Sequence, residues 1–352
     1  MTTTTHLRTR AIDQIWFTRC PVRTATGIAA DLGWLHDEFA SDRIAVASLQ
    51  DFPTGAPAAP VPPGARAVFR EAGNIPALWA RARGAKTRVV GLTWLEERQV
   101  ILARPESGLR GPADLRGRRL AVPRRDGIGV DFRRAMALQG FAGALAVAGL
   151  GLSDVRLVDV DDQRRLAADR AVGQWDPEFD ALRRNEVDAI YMKGAVAVEL
   201  ARYEGAEIVV DFDAFPDRRV RVNNGTPRPI TVDQRVLDDR PDLVARFLAV
   251  VLRAADWAAV DPDRPVRSLH PDLSTERLAL LEQQKDFLRG HGFLDGDVDV
   301  LSWIDPAPLG AARDMVEARH YAAQFIPPAE PRDASSREAH PSTHRHRSRA
   351  WS

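Results

Sequence analysis

The chain has 352 residues, 45% of them hydrophobic and 28% charged, which is enough for two core-bearing units and too much for one small domain. Lys plus Arg and Asp plus Glu balance at 49 each, so there is no global basic excess of the kind that marks a nucleic-acid or anionic-membrane binder, and any selectivity for anions is local. Cys20 is the only cysteine. That excludes an intrachain disulfide and a multi-cysteine metal site and leaves either a buried small hydrophobe or a reactive thiol.

The N-terminal residues Met1 to Arg8 are polar and are followed by no apolar run of the kind an export signal carries. No stretch of about 18 apolar residues occurs anywhere, so no membrane-spanning helix is expected. A cytoplasmic protein is the expectation. A short strand is predicted from Ile15 to Val22, closed by Pro21, then one helix from Thr24 to Phe39 on the spacing of Ile28, Leu32, Leu35 and Phe39. Ile44 to Leu49 alternates like a strand. From Pro53 to Pro63 the chain is rich in proline and alanine and reads as an extended loop.

A helix from Gly73 to Arg83 precedes strands at Thr87 to Trp94 and Gln99 to Ala103. A turn at Ala113 to Gly117 then leads to a strand at Arg119 to Val122. Helix and strand keep alternating: helix Asp131 to Leu150, strand Asp154 to Val160, helix Phe179 to Arg184, strand Val187 to Met192, helix Ala195 to Glu204, strand Glu207 to Asp211. That order predicts mostly parallel sheets flanked by helices, an α/β protein. Beyond Val232 the chain turns helical, with helices at Pro241 to Val260 and Glu276 to His291. The segment from Pro327, rich in Pro, Ser, His and Arg, reads as a disordered tail.

Several places could carry chemistry. Arg70 precedes Gly73 and a helix start, where a guanidinium and free backbone N–H groups suit a carboxylate, sulfonate or sulfinate; the other reading is a surface arginine with Asn74 as a cap. Gly127 and Gly129 lie between a strand and a helix at the carboxyl edge of a parallel sheet, where ligands of such sheets bind, or form a plain turn. Lys193 and Gly194 end a strand at the same kind of edge and either face a ligand or cap the next helix. Cys20 lies at a strand end beside Arg19, which would favour a thiolate, although neighbours on a strand point to opposite faces. Thr18, Asn74 and Thr93 complete the ligand-binding candidates. His36 reads as a packed or surface histidine, and His340, His344 and His346 as solvated tail. No Ser-His-Asp, HExxH or P-loop pattern occurs, and neither a metal nor a cofactor is called for.

Cys20-Pro21-Val22, Arg70-x-x-Gly73-x-Ile75-Pro76, Arg88 to Thr93 and Ala113 to Val122 closely resemble the 2'-hydroxybiphenyl-2-sulfinate desulfinase family. That family sits within the superfamily of sulfonate-, nitrate- and thiamine-precursor-binding components of ABC transporters. The resemblance implies a two-lobed periplasmic-binding-protein type II fold with a small organic anion between the lobes. It implies lobe one from residues 10–104 and 233–326 and lobe two from 105–232, with crossing strands near Ile101 and Ile230. It also implies Cys20 as the thiol that breaks an aryl carbon–sulfur bond, with Arg70 and Gly73 holding the sulfinate oxygens. The family's catalytic histidine, ten residues before that arginine, is replaced here by Pro60. Two readings follow: a binding protein for a sulfonate-like anion, with a transporter permease as partner, or a cofactor-free desulfinase.

Overall fold

The computed structural model describes residues 12–20, 22–51, 67–126, 129–161, 176–194, 196–261 and 269–325. The chain opens with β1 (Gln14–Phe17), α1 (Ala25–Asp31), α2 (Trp34–Ala40), β2 (Ala45–Ser48), β3 (Ala67–Glu71), α3 (Asn74–Ala82) and β4 (Thr87–Thr93). It continues through β5 (Gln99–Ala103), β6 (Arg119–Arg124), α4 (Phe132–Val147), β7 (Arg156–Asp161), α5 (Asp176–Arg183), β8 (Ala189–Lys193), α6 (Val196–Tyr203) and β9 (Glu207–Asp211). It ends with β10 (Arg228–Asp233), α7 (Gln234–Asp239), α8 (Pro241–Ala259), α9 (Thr275–Gly290), α10 (Val300–Trp303) and α11 (Ala307–Phe325). By packing, residues 1–316 form one unit and 317–352 another, the second containing the last turns of α11. The 53–63 loop, Pro60, the tail from Pro327 and its three histidines lie outside the described residues, as does Gly127.

Two five-stranded sheets organise the first unit, in the orders β2-β1-β3-β10-β4 and β7-β6-β8-β5-β9. Each is mixed. β1, β2 and β3 pair parallel, while β10 runs antiparallel to β3 and β4. β6 pairs parallel with β7 and β8, while β5 runs antiparallel to β8 and β9. The reversed strands are the ones that arrive from the other sheet. Ile101 and Ile230 therefore lie inside sheets, and the chain passes between sheets after Thr93 and after Asp211.

The helix expected over residues 24–39 is two helices, because Gly33 takes φ 76°, a left-handed conformation that ends one helix and starts the next. The second of them buries Leu35 and Phe39. On one face of the first sheet, Phe69 stacks on Phe247 of α8 with ring centroids 3.8 Å apart. On the other face, Ile75, Leu78 and Val89 pack with Leu281 and Trp303. In the second sheet β8 is buried on both sides: Tyr191 packs with Phe141 and Phe212, and Ile190 and Met192 with Phe179 and Leu182. That explains its continuous apolar reading in sequence. No described helix is long and apolar enough to cross a membrane.

Candidate functional site

The carboxyl edge of the first sheet gathers residues from four strands. Beyond β1, the Thr18 N–H donates to the Phe69 carbonyl at 3.0 Å, extending the pairing toward Cys20. β3 ends at Glu71, a buried carboxylate that accepts from the Thr26 N–H of α1 and from the Thr93 hydroxyl, both at 3.0 Å. β10 begins at this edge, with Arg228 opposite Thr93.

Cys20 is half-buried, and Arg228 Nη1 donates to its sulfur at 2.9 Å. The neighbouring Arg19 turns away: its guanidinium pairs with Asp31 and its N–H donates to Gln50 Oε1 at 2.7 Å. The cation beside the thiol is therefore Arg228, brought by a strand more than 200 positions away, because successive side chains of an extended segment alternate in direction.

From the second sheet, Lys193 at the end of β8 is buried, pairs with Glu97 at 2.9 Å and donates to the Asn224 carbonyl. Burial pulls its ammonium below the ordinary lysine range against the opposing pull of Glu97, and Arg228 adds to the lowering. Gly194 takes φ 103° and donates its N–H to the Arg98 carbonyl at 2.8 Å, turning the chain toward α6. Gly225, at φ 111°, lies between the two cations: a Cβ there would sit 3.0 Å from Arg228 Nη2 and 3.3 Å from Lys193 Nζ. The two carboxyl edges thus converge on one positive cluster beside a thiol.

Asn74 is buried and donates to the carbonyls of Asn223 and Pro227, at 2.8 and 2.9 Å. The start of α3 is occupied: the Ile75 N–H donates to Asn224 Oδ1 at 3.1 Å. A Cβ on Gly73 would lie 2.0 Å from that oxygen, so this glycine makes room for the Asn224 carboxamide. A buried chain of bonds extends from there. Asn223 Nδ2 donates to Tyr191 Oη at 3.0 Å and to the Met136 carbonyl at 3.1 Å, the Tyr191 hydroxyl donates to Gln99 Oε1 at 2.7 Å, and Gln99 Nε2 donates to the Arg221 carbonyl at 2.9 Å.

The other candidates are placed as follows. The Thr18 hydroxyl is buried with no hydrogen-bond partner among the described residues. Thr93 serves Glu71. Gly129, at φ 50°, backs onto the Trp79 ring of α3. Arg70 is half-buried and its guanidinium makes no hydrogen bond or ion pair among the described residues; burial lowers its basicity against the opposing field of Asp233. Among the described residues no group of three or more His, Cys, Asp or Glu is placed to hold a metal.

Burial raises the Asp233 carboxyl above the usual carboxylate range, with Arg70 opposing. The folded state then holds this proton to higher pH than the unfolded chain does. Its contribution to stability is present below the unfolded value of about 3.9 and is lost as pH rises through the raised folded value. The stability of the native protein relative to Asp233→Asn should therefore fall as pH rises above about 4 in denaturant titrations. A difference that grows over that range would contradict the assignment.

The NMT1/THI5-like family model matches residues 72–265, more than half of the chain. The chain belongs to the NMT1/THI5-like family. Among relatives, the 2'-hydroxybiphenyl-2-sulfinate desulfinase of Rhodococcus erythropolis is 28% identical over 84% of this chain and 92% of its own. A protein of Brucella abortus (strain 2308), whose name calls it a candidate binding protein, is 23% identical over 60% of this chain, which spans 57% of that relative. The solved periplasmic sulfonate-binding protein SsuA of Methylobacillus flagellatus superposes with a TM-score of 0.63 at 12% identity, covering 88% of this chain and 95% of that one.

This NMT1/THI5-like chain thus has the two-lobed periplasmic-binding-protein architecture expected from its sequence, as two mixed sheets flanked by helices. Sequence reasoning missed Arg228, Glu71, Glu97 and the Asn223-Asn224 pair. Arg228 is one of many arginines in a chain with three lysines, and nothing local distinguishes it. Asn223-Asn224-Gly225 ahead of Thr226-Pro227 did carry a signal, because such a cluster marks a tight turn at the crossing between sheets.

Proposed function

We propose that this protein binds a small organic sulfinate or sulfonate where the carboxyl edges of its two sheets meet. The observation that carries the reading is the convergence of Arg228 and Lys193, from different sheets, on the space beside Gly225 and the Cys20 sulfur. Lys193 has Glu97 as counter-charge, whereas among the described residues Arg228 has no ion pair and its Nε no hydrogen-bond partner. An anion there would complete the charge balance through charge-assisted hydrogen bonds. Arg70, whose guanidinium has no partner among the described residues, and the N–H of Gly73 are the further groups assigned to the anion's oxygens. The sulfonate-binding and desulfinase relatives support this ligand class.

Calorimetric titration with benzenesulfinate and methanesulfonate tests it. Binding should weaken about 10- to 100-fold in Arg228→Gln, the range set by losing one hydrogen bond to a charged group. Unchanged affinity in that variant, or no binding by the native protein, removes the reading. As a binding component the protein would deliver its anion to a transporter permease.

The Arg228 to Cys20 contact favours a second reading, a desulfinase. An aryl sulfinate and water would give the arene and hydrogensulfite, the ring carbon gaining a proton as its bond to sulfur breaks. Sulfite release that disappears in Cys20→Ser would establish it; none from the native protein would leave binding alone.

A further inference from the structure

Cys20 has one polar side-chain contact among the described residues, the guanidinium of Arg228. That arginine is built into the fold rather than laid on it. It is 4% exposed, it starts β10 in register with Thr93, and its carbonyl accepts from the Thr93 hydroxyl at 3.5 Å. One guanidinium nitrogen donates to the sulfur, another lies 3.0 Å from where a Gly225 Cβ would sit, with Lys193 Nζ 3.3 Å from the same point, and the buried Nε has no hydrogen-bond partner among the described residues. A buried cation with no carboxylate beside it among the described residues is costly to the fold, and a guanidinium donating to the sulfur fixes the side chain and keeps positive charge where an anion would approach it. Lys193 completes a field of one sign next to the thiol, and such a field concentrates anions.

We infer that Arg228 is the positioning residue for Cys20, holding the sulfur and, with Lys193, directing an anionic electrophile onto it. This rests on the same site as the proposed anion binding but is tested without any sulfur anion. Because Cys20 is the only cysteine, alkylation reports on it directly: a carbon–sulfur bond forms, the carbon–iodine bond breaks, iodide leaves and the thiol proton passes to solvent.

The experiment compares alkylation rates with anionic iodoacetate and neutral iodoacetamide, using glutathione as the free-thiol reference. The iodoacetate to iodoacetamide rate ratio of the native protein should exceed that of glutathione by about tenfold or more, the lower end of electrostatic steering. It should fall to the glutathione ratio in Arg228→Gln and be largely restored in Arg228→Lys, a rescue that a merely structural role would not produce. A native ratio equal to that of glutathione overturns the inference with no variant needed, so a poorly folding Arg228→Gln does not protect it. A high ratio that survives in Arg228→Gln also overturns it. If the ratio behaves as expected while benzenesulfinate fails to bind, the positioning role stands and the proposed ligand class falls.

Discussion

Replacing Glu178 with alanine should destabilise the protein by about 3–5 kcal/mol, the range for removing one partner of a buried ion pair. Glu178 of α5 and Arg133 of α4 are both buried and joined by an ion pair that links the two helices. Alanine at 178 takes that carboxylate from a buried guanidinium, next to a core formed by Phe179 and Leu182. Replacing both residues with apolar side chains of similar volume should cost much less, since neither charge then has to be taken out of water. Chemical denaturation of the single and double variants reads the difference directly. Equal costs in the two would mean the pair itself carries the stability.

The second large effect belongs to the first sheet. Glu71→Ala takes the shared acceptor from two buried donors, leaving the Thr26 N–H without it and the Thr93 hydroxyl with only its 3.5 Å contact to the Arg228 carbonyl. At about 1–3 kcal/mol each, the loss should reach about 2–6 kcal/mol in unfolding measurements. Glu71→Gln keeps an acceptor for one of them and should cost less. Because Thr93 also contacts the Arg228 carbonyl, the alanine variant should loosen the strand that carries Arg228 and weaken benzenesulfinate binding. Full affinity retained in a destabilised Glu71→Ala protein would show that this carboxylate supports the sheet and not the site.

The alternation of strands and helices was legible because each element's period survives burial. α8 and β9 lie within a residue of where apolar spacing put them. The break at Gly33 was not, since one glycine inside a good helical pattern is consistent with both one helix and two until the backbone conformation is known. The antiparallel strands β5 and β10 were also hidden, because periodicity fixes which face a strand shows and not which way it runs. In the site, Cys20 and Lys193 were visible as single-copy or rare residue types at strand ends. Arg228, Glu71 and Asn224 were not, because their roles come from pairings across the fold that no local pattern encodes.

Gly140 of α4 faces the Tyr191 ring so closely that a Cβ would lie 2.2 Å from two ring carbons. The ring cannot retreat without releasing Gln99 and Asn223 from its hydroxyl. Positions 140 and 191 are therefore one choice written in two places. A larger residue at 140 requires a smaller one at 191, and a smaller one at 191 leaves a buried carboxamide oxygen and a buried carboxamide N–H with nothing to bind. Substitution at either position alone passes through a damaged intermediate, so a lineage that keeps this core is expected to keep the pair together or to change both at once.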